Sequence, residues 1–361
     1  MRNDWGTGDG NREPGTGSRE PGTGSRREHG FTLPELLIAM TLTLVVTSAA
    51  LTALQDAARS SEAGAVMTDV NQNLRVAMNM VIRDLLQVGE GTRTGISIPS
   101  GTGTLPIVRP GPPGADWSFP ETYTVLPAVS MDNNVGEMVN DVQTDVVTLL
   151  FEDHRLNISN LAGLVIPDDG SSITFPAVFD IGDAAIGIHE GDLIRFGDGA
   201  MQEVTSVSGQ TVYFDTTADS NLNQRGAPAG TVLEERLGGH FPSNLDLHRI
   251  NMVTYYLHVP TSGPITSPHL IRRVNYGEER VVAIGVENVQ LTWDLVDGVT
   301  NPTNIDEFAA DASEGQIRKA NLYMAARSLE EFSRTGQYMR TSLTTQVSLR
   351  SMAFVSRYDL Q

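Results

Sequence analysis

The chain has 361 residues, with 44 acidic against 25 basic side chains and a formal charge of −19 at pH 7. That length gives one large domain or two small ones, and the acidity argues against a nucleic-acid binder, which needs a positive footprint. With no cysteine, disulfides, thiolate zinc sites and cysteine nucleophiles are excluded outright.

Residues 1–30 hold five arginines and five acids, so the whole negative charge belongs to residues 31–361. REPGTGS occurs at 12–18 and again at 19–25. Gly, Pro, Ser and charge dominate, without apolar periodicity, and such a segment is expected to be disordered.

FTLPELLIAMTLTLVVTSAALTAL follows at 31–54, with Glu35 its single charge. Leu36–Leu54 supplies 19 residues without a formal charge. As a helix that run spans about 28 Å, close to the thickness of a bilayer's hydrocarbon core. The apolar core of a cleaved secretory signal is shorter, about 7–15 residues. Arg26 and Arg27 precede the run, which places the N-terminus on the cytoplasmic side. Everything after residue 54 then lies across the membrane.

Glu35 is out of place in an ordinary anchor, because a carboxylate at the bilayer centre costs about 2.5–3.5 kcal/mol. It closes the string Gly30-Phe31-Thr32-Leu33-Pro34-Glu35, after two arginines and before an apolar helix. This arrangement closely resembles the prepilin processing site of type IV pilins and of type II secretion pseudopilins. The resemblance implies cleavage between Gly30 and Phe31 by a prepilin peptidase, then N-methylation of Phe31. It also implies that Glu35 pairs with the positive α-amino group of a neighbouring subunit, which answers the cost of an unpaired charge. Pro34 departs from the commonest aliphatic residue there. Near a helix N-terminus it is benign, since its missing N–H has no partner anyway.

Residues 55–90 continue as an amphipathic helix. Met67, Val70, Leu74, Ala77, Val81, Leu85 and Val88 fall at spacings of three and four and form one apolar stripe. Asp69, Asn71, Asn73, Arg75, Arg83 and Asp84 are assigned to the opposite, polar face. The stripe is read as packing against a globular head. Gly64 is the expected soft point, and Gly89, Gly91 and Gly95 end the helix. The Arg83-Asp84 pair before a glycine turn is similar to the helix end of the larger, PilW-type minor pilins.

Residues 91–361 read as a β-rich head. Six prolines between 99 and 120 predict an irregular surface loop. Strands are expected at 145–151, 191–196, 202–207, 211–215, 252–258, 269–274 and 286–294, with a final pair at 318–329 and 344–355. Ser208-Gly209-Gln210 is a hairpin signal, so 191–215 is read as a three-strand meander. Residues 250–357 are similar to the terminal sheet of PilW-like proteins, and 155–245 is read as an insertion in the head.

The expected fold is therefore α+β and type IV pilin-like: a leader at 1–30, a membrane-spanning segment at 31–54, an amphipathic helix and a β-rich head. The resemblance implies a minor pilin of a type IV pilus, a priming or tip subunit held in the inner membrane before assembly and exposed on the pilus afterwards. Its partners would be other minor and major pilins, the prepilin peptidase and the inner-membrane assembly platform. A J-type minor pseudopilin and a tip adhesin are the alternatives; an exported, membrane-anchored enzyme is a third. No cofactor, metal or nucleic acid is expected. The seven histidines show no ligand spacing. Asp219, Asn221 and Asn223 imitate the first half of a calcium loop, but Gln224 and Gly230 stand where Gly and a bidentate acid are required, so a polar turn is preferred. Trp117, Trp293, Tyr255, Tyr256 and Tyr276 are read as core or loop anchors rather than a ligand groove.

Overall fold

A computed structural model describes residues 30–352, apart from 93–95, 100–102, 113–116, 122, 157, 159–160, 184–186, 198–199, 225–245, 263–265, 297, 307–315 and 333–334. Residues 1–29 of the leader, Gly95, all of 225–245 and the end of the last expected strand lie outside the described residues. The chain divides into two units, Met1–Ser60 and Ser61–Gln361. Helix α1, Leu33–Gln87, is 55 residues long and runs through Gly64 without a break.

The strands follow in chain order: β1 (Ile96–Ser97), β2 (Val125–Leu126), β3 (Val129–Asp132), β4 (Met138–Val139), β5 (Val142–Gln143) and β6 (Val146–Glu152). Next come β7 (Ser172–Thr174), β8 (Leu193–Phe196), β9 (Met201–Glu203), β10 (Ser206–Ser208) and β11 (Thr211–Tyr213). The last six are β12 (Leu247–His258), β13 (His269–Val274), β14 (Arg280–Ile284), β15 (Val286–Leu295), β16 (Ile317–Phe332) and β17 (Gln337–Ser348). Among the described residues, one helix followed by antiparallel sheets is the expected α+β, type IV pilin-like arrangement.

The largest sheet has the order β14-β13-β12-β6-β3, with β8 and β9 added beside β12. Strand β12 organises it. Its residues 250–255 pair with β6, 247–250 with β8 and 253–258 with β13. Strand β6 is buried on both faces, which is why DVVTLLFE reads as a continuous apolar run rather than an alternation. The terminal sheet, β15-β16-β17, alternates buried and half-buried positions along β15, as expected for a sheet with one face in the core.

The stripe of α1 forms the central core with these two sheets. Val70, Leu74, Ala77, Val81, Leu85 and Val88 cluster with Leu149, Val253, Tyr255, Leu291 and Met324. Each fully buried aliphatic side chain contributes about 1.5–3 kcal/mol. Met78 joins the stripe and Met67 is only half-buried. Beyond α1 the chain turns at Gly89, φ +80°, where an added Cβ would stand 2.6 Å from Met352 Sδ.

Four expectations change in three dimensions. Asp84 does not lie on the polar face; it is buried, and its carboxylate accepts hydrogen bonds from Arg272 Nε at 2.7 Å and Tyr255 Oη at 2.6 Å. The loop at 99–120 is not purely superficial. Ile107 and Phe119 join an apolar cluster with Leu193, Met201 and Ile250. Between them Arg109 is buried, its guanidinium 5.5 Å from the Trp117 and Phe119 rings and bonded to Ser130 and Asp132.

The third change is at 202–207, expected as one strand. It is two, because the chain passes between sheets at Val204-Thr205: β9 pairs with β8, and β10 pairs with β11. The meander expected at 191–215 is therefore two hairpins in separate sheets, although the turn at Gly209 is where it was expected. The fourth is the final strand, β17, which starts at Gln337 rather than 344. Within 155–245, a separate apolar cluster gathers Ile173, Phe175, Phe196, Val212 and Phe214, while β8 is hydrogen-bonded into the largest sheet.

Candidate functional site at the start of the long helix

Gly30 and Phe31 are exposed, Phe31 to 84%. A Cβ added at Gly30 would meet nothing within 4 Å. Thr32 is the N-cap of α1, since its carbonyl accepts the Leu36 N–H at 3.1 Å. Leu33, Pro34 and Glu35 are then the first three helical residues. Glu35 Oε2 accepts hydrogen bonds from the Thr32 N–H at 2.9 Å and the Thr32 hydroxyl at 2.8 Å. A carboxylate reaching back to the N-cap N–H is one half of a capping box, and its charge complements the helix dipole. Pro34 sits where an N–H would have no intrahelical acceptor.

Glu35 therefore has a partner within its own chain, which the resemblance did not supply. The Thr-x-x-Glu spacing at 32–35 was the available signal.

The segment after Glu35 is apolar on every side. Its best window has mean hydropathy 2.1, and none of that window is buried. It is long and apolar enough to cross a membrane. Its threonine hydroxyls after Glu35 are satisfied locally: Thr41, Thr43, Thr47 and Thr52 each donate to a carbonyl three or four residues earlier, at 2.7–3.0 Å. These four donors need no water in a lipid phase.

The other candidates are committed to the fold. Asn223 is buried, accepting the Glu203 N–H and donating to the Glu203 and Asp215 carbonyls. Asn221 donates to the Pro106 carbonyl at 2.9 Å. The calcium-like run is thus a turn that fastens the 103–120 loop. Trp293, Tyr255 and Tyr256 are fully buried, and Tyr276 Oη donates to the Val108 carbonyl at 2.6 Å. Trp117 packs against Val146, Tyr256 and Ile271. No group of three or more His, Asp or Glu side chains among the described residues is arranged to hold a metal.

Two clusters make the head sensitive to pH. His248 bonds Glu152 through Nδ1 at 2.8 Å and Asp246 through Nε2 at 2.9 Å. Burial disfavours its charge, but the two carboxylates outweigh it and raise its pKa. Its stabilisation is complete below the ordinary histidine value, about 6.5, and is lost as pH rises through the raised folded value. The melting temperature is expected to be higher at pH 6 than at pH 8.5, and the difference should shrink in His248→Asn.

Asp153 has the opposite sign. Burial raises its pKa, but Arg155 and Arg249 overcome that and hold it at about 2. Its stabilisation is expected to disappear between about pH 4 and pH 2, as acid unfolding followed by circular dichroism would show. A shallower acid transition in Asp153→Asn is the corresponding result.

A family model described as the prokaryotic N-terminal methylation motif matches residues 25–51. No curated protein and no solved structure matches the chain. The matched residues cover the arginine pair, the capped start of α1 and most of its apolar segment. The chain thus joins the N-terminal methylation motif of prepilin-type proteins, substrates of the prepilin peptidase, to an α+β, type IV pilin-like fold.

Proposed function

We propose that this protein is a minor pilin of a type IV pilus, a PilW-type priming or tip subunit with a structural role. On this reading the leader at 1–30 is cut between Gly30 and Phe31, and Phe31 is N-methylated. Residues 31–54 hold the subunit in the inner membrane until it is transferred to the filament, with the head, elaborated at 155–245, on the far side. The observation that carries the reading is the juxtaposition at the start of α1. An exposed Gly30-Phe31 bond precedes a carboxylate that caps the helix, and the segment that follows is apolar all round and exposed throughout its most apolar window. Such a helix needs lipid or other helices as its surroundings.

Glu35 is the residue that separates assembly from anchoring. Its charge is a liability for insertion, and its gain comes when a neighbour's methylated α-amine approaches in a low-dielectric medium. The capping geometry sharpens the test, because Gln serves at the third helical position of a capping box as Glu does. Glu35→Gln keeps the cap and removes the charge. It is expected to insert and mature normally, yet to lose most of its co-purification with other pilins from membranes. Recruitment equal to that of the unaltered chain would defeat the charge-pair mechanism.

A further inference from the structure

At the C-terminal end of α1 the head carries a cleft of about 760 Å³. Arg83 and Gln87 reach it from the helix, Arg272 from β13 and Arg280 from the start of β14. Asp153, His154 and Arg155 reach it from the turn after β6. Phe151 and Val274 give it an apolar strip. A smaller pocket of about 350 Å³ shares Arg155, Asn251 and Arg280 and continues the cleft. The chain as a whole carries 25 basic side chains against 44 acidic ones, so four arginines at one cleft stand out.

Three carboxylates also line it, and two of them are already used. Asp84 accepts from Arg272 Nε at 2.7 Å and from the Tyr255 hydroxyl at 2.6 Å. Asp153 accepts two bonds from Arg155 and one from Arg249, all at 2.9 Å.

Several polar groups at the cleft remain uncommitted. Arg272 is held through Nε alone, so its two η-nitrogens have no partner among the described residues. Its side chain is 17% exposed and lines the cleft, which is where those nitrogens open. Arg280 is exposed and has no ion-pair partner among the described residues. Arg83 stands 3.9 Å from Asp84, beyond hydrogen-bonding reach. The half-buried Asn251 amide and the exposed Glu278 carboxylate have no side-chain partner among the described residues either.

Unused guanidinium donors suit an anion, and their planar fork matches a carboxylate. Asn251 and Glu278 narrow the class. An unpaired carboxylate repels a compact anion such as phosphate, yet it accepts readily from a hydroxyl, and an amide both donates and accepts. The apolar strip suits the C–H face of a sugar ring. The volume falls within the range of small-molecule sites. The chain's overall negative charge does not forbid an anion, because fields from distant surface charges fade over about 8 Å at physiological salt.

We propose that this cleft binds an acidic saccharide, its carboxylate held by Arg272, Arg280 and Arg83 and its hydroxyls by Asn251 and Glu278. The inference goes beyond the structural role in a filament and does not depend on it, since every residue of the cleft lies in the unit Ser61–Gln361. On a tip subunit it gives the head a ligand on the surface that the pilus meets.

The test is calorimetric titration of the detergent-solubilised full-length chain with tri-galacturonic acid and with sialyllactose, against maltotriose and inorganic phosphate. Saturable binding of an acidic saccharide is expected, at least about tenfold tighter than either comparison compound. Arg280→Gln with Arg83→Gln removes two exposed cations and should leave the melting temperature unchanged, yet weaken saccharide binding by about tenfold or more. Glu278→Gln should narrow the gap between saccharide and phosphate, because it removes the carboxylate that repels the latter. Absence of saturable binding by both acidic saccharides overturns the proposal, as does indifference to the double arginine variant. Equal binding of maltotriose would refute the role of the carboxylate, and equal binding of phosphate would reduce the cleft to a simple anion site; either result also overturns it.

Discussion

A Gly30→Val chain is expected to remain in the membrane at full length. The residue before the scissile bond must enter a peptidase extended and unhindered, and a branched side chain obstructs it. The structure removes the usual objection to such a variant. Gly30 is exposed, and an added Cβ would touch nothing. Lost processing would therefore report the enzyme's demand and not a damaged subunit. Mass spectrometry should find Phe31 as the mature N-terminus of the unaltered chain and only precursor for Gly30→Val. A mature N-terminus at any other residue would sink the assignment.

The second large effect is expected at Asp84. Its buried carboxylate fastens α1 to β12 and β13 through Tyr255 and Arg272. Burial, overcome by the nearby Asp84 carboxylate, leaves the Arg272 pKa raised. Burial and Asp84 together push the Tyr255 phenol well above its ordinary value. Both partners thus keep their protons at any physiological pH. Removing one member of a buried pair costs about 3–5 kcal/mol, because the other charge stays desolvated without compensation. Asp84→Asn is therefore expected to destabilise the head by that amount, a large share of the stability of an ordinary domain.

The exposed Asp168→Asn should change stability by no more than about 0.5 kcal/mol. Denaturant titration of the detergent-solubilised chains, read by circular dichroism, compares the two. Equal midpoints would show that the contact does not hold the helix to the sheet. Replacing the set together, as Asp84→Leu, Arg272→Met and Tyr255→Phe, should recover most of the loss, since apolar groups of similar volume often substitute for a buried pair without penalty.

Some of this architecture is written in local sequence. The apolar run, the Gly30–Glu35 string and the three-four spacing from Val70 to Val88 are short-range signals, and the helix they describe needs no distant partner to be recognised. Strand β13 falls on its expected limits, 269–274, because a short apolar run between turn residues is also a local pattern. β3 and β14, at opposite ends of the largest sheet, went unrecognised. Their burial is partial, and edge strands carry a weaker apolar alternation than central ones.

Pairing across the chain was decided by tertiary structure. Nothing near residues 202–207 says that the segment divides between two sheets, because the partners that divide it are β8 and β11. Six prolines mark 99–120 as irregular but cannot show that Ile107 and Phe119 close a core against strands more than seventy residues further on. Asp84 is the clearest case. Its charge places it on the solvent side of an amphipathic helix, and only the approach of Tyr255 and Arg272, 171 and 188 residues away in sequence, makes burial tolerable. Periodicity reports which face is apolar, but a buried charge is fixed by the groups that meet it, and these the fold brings together.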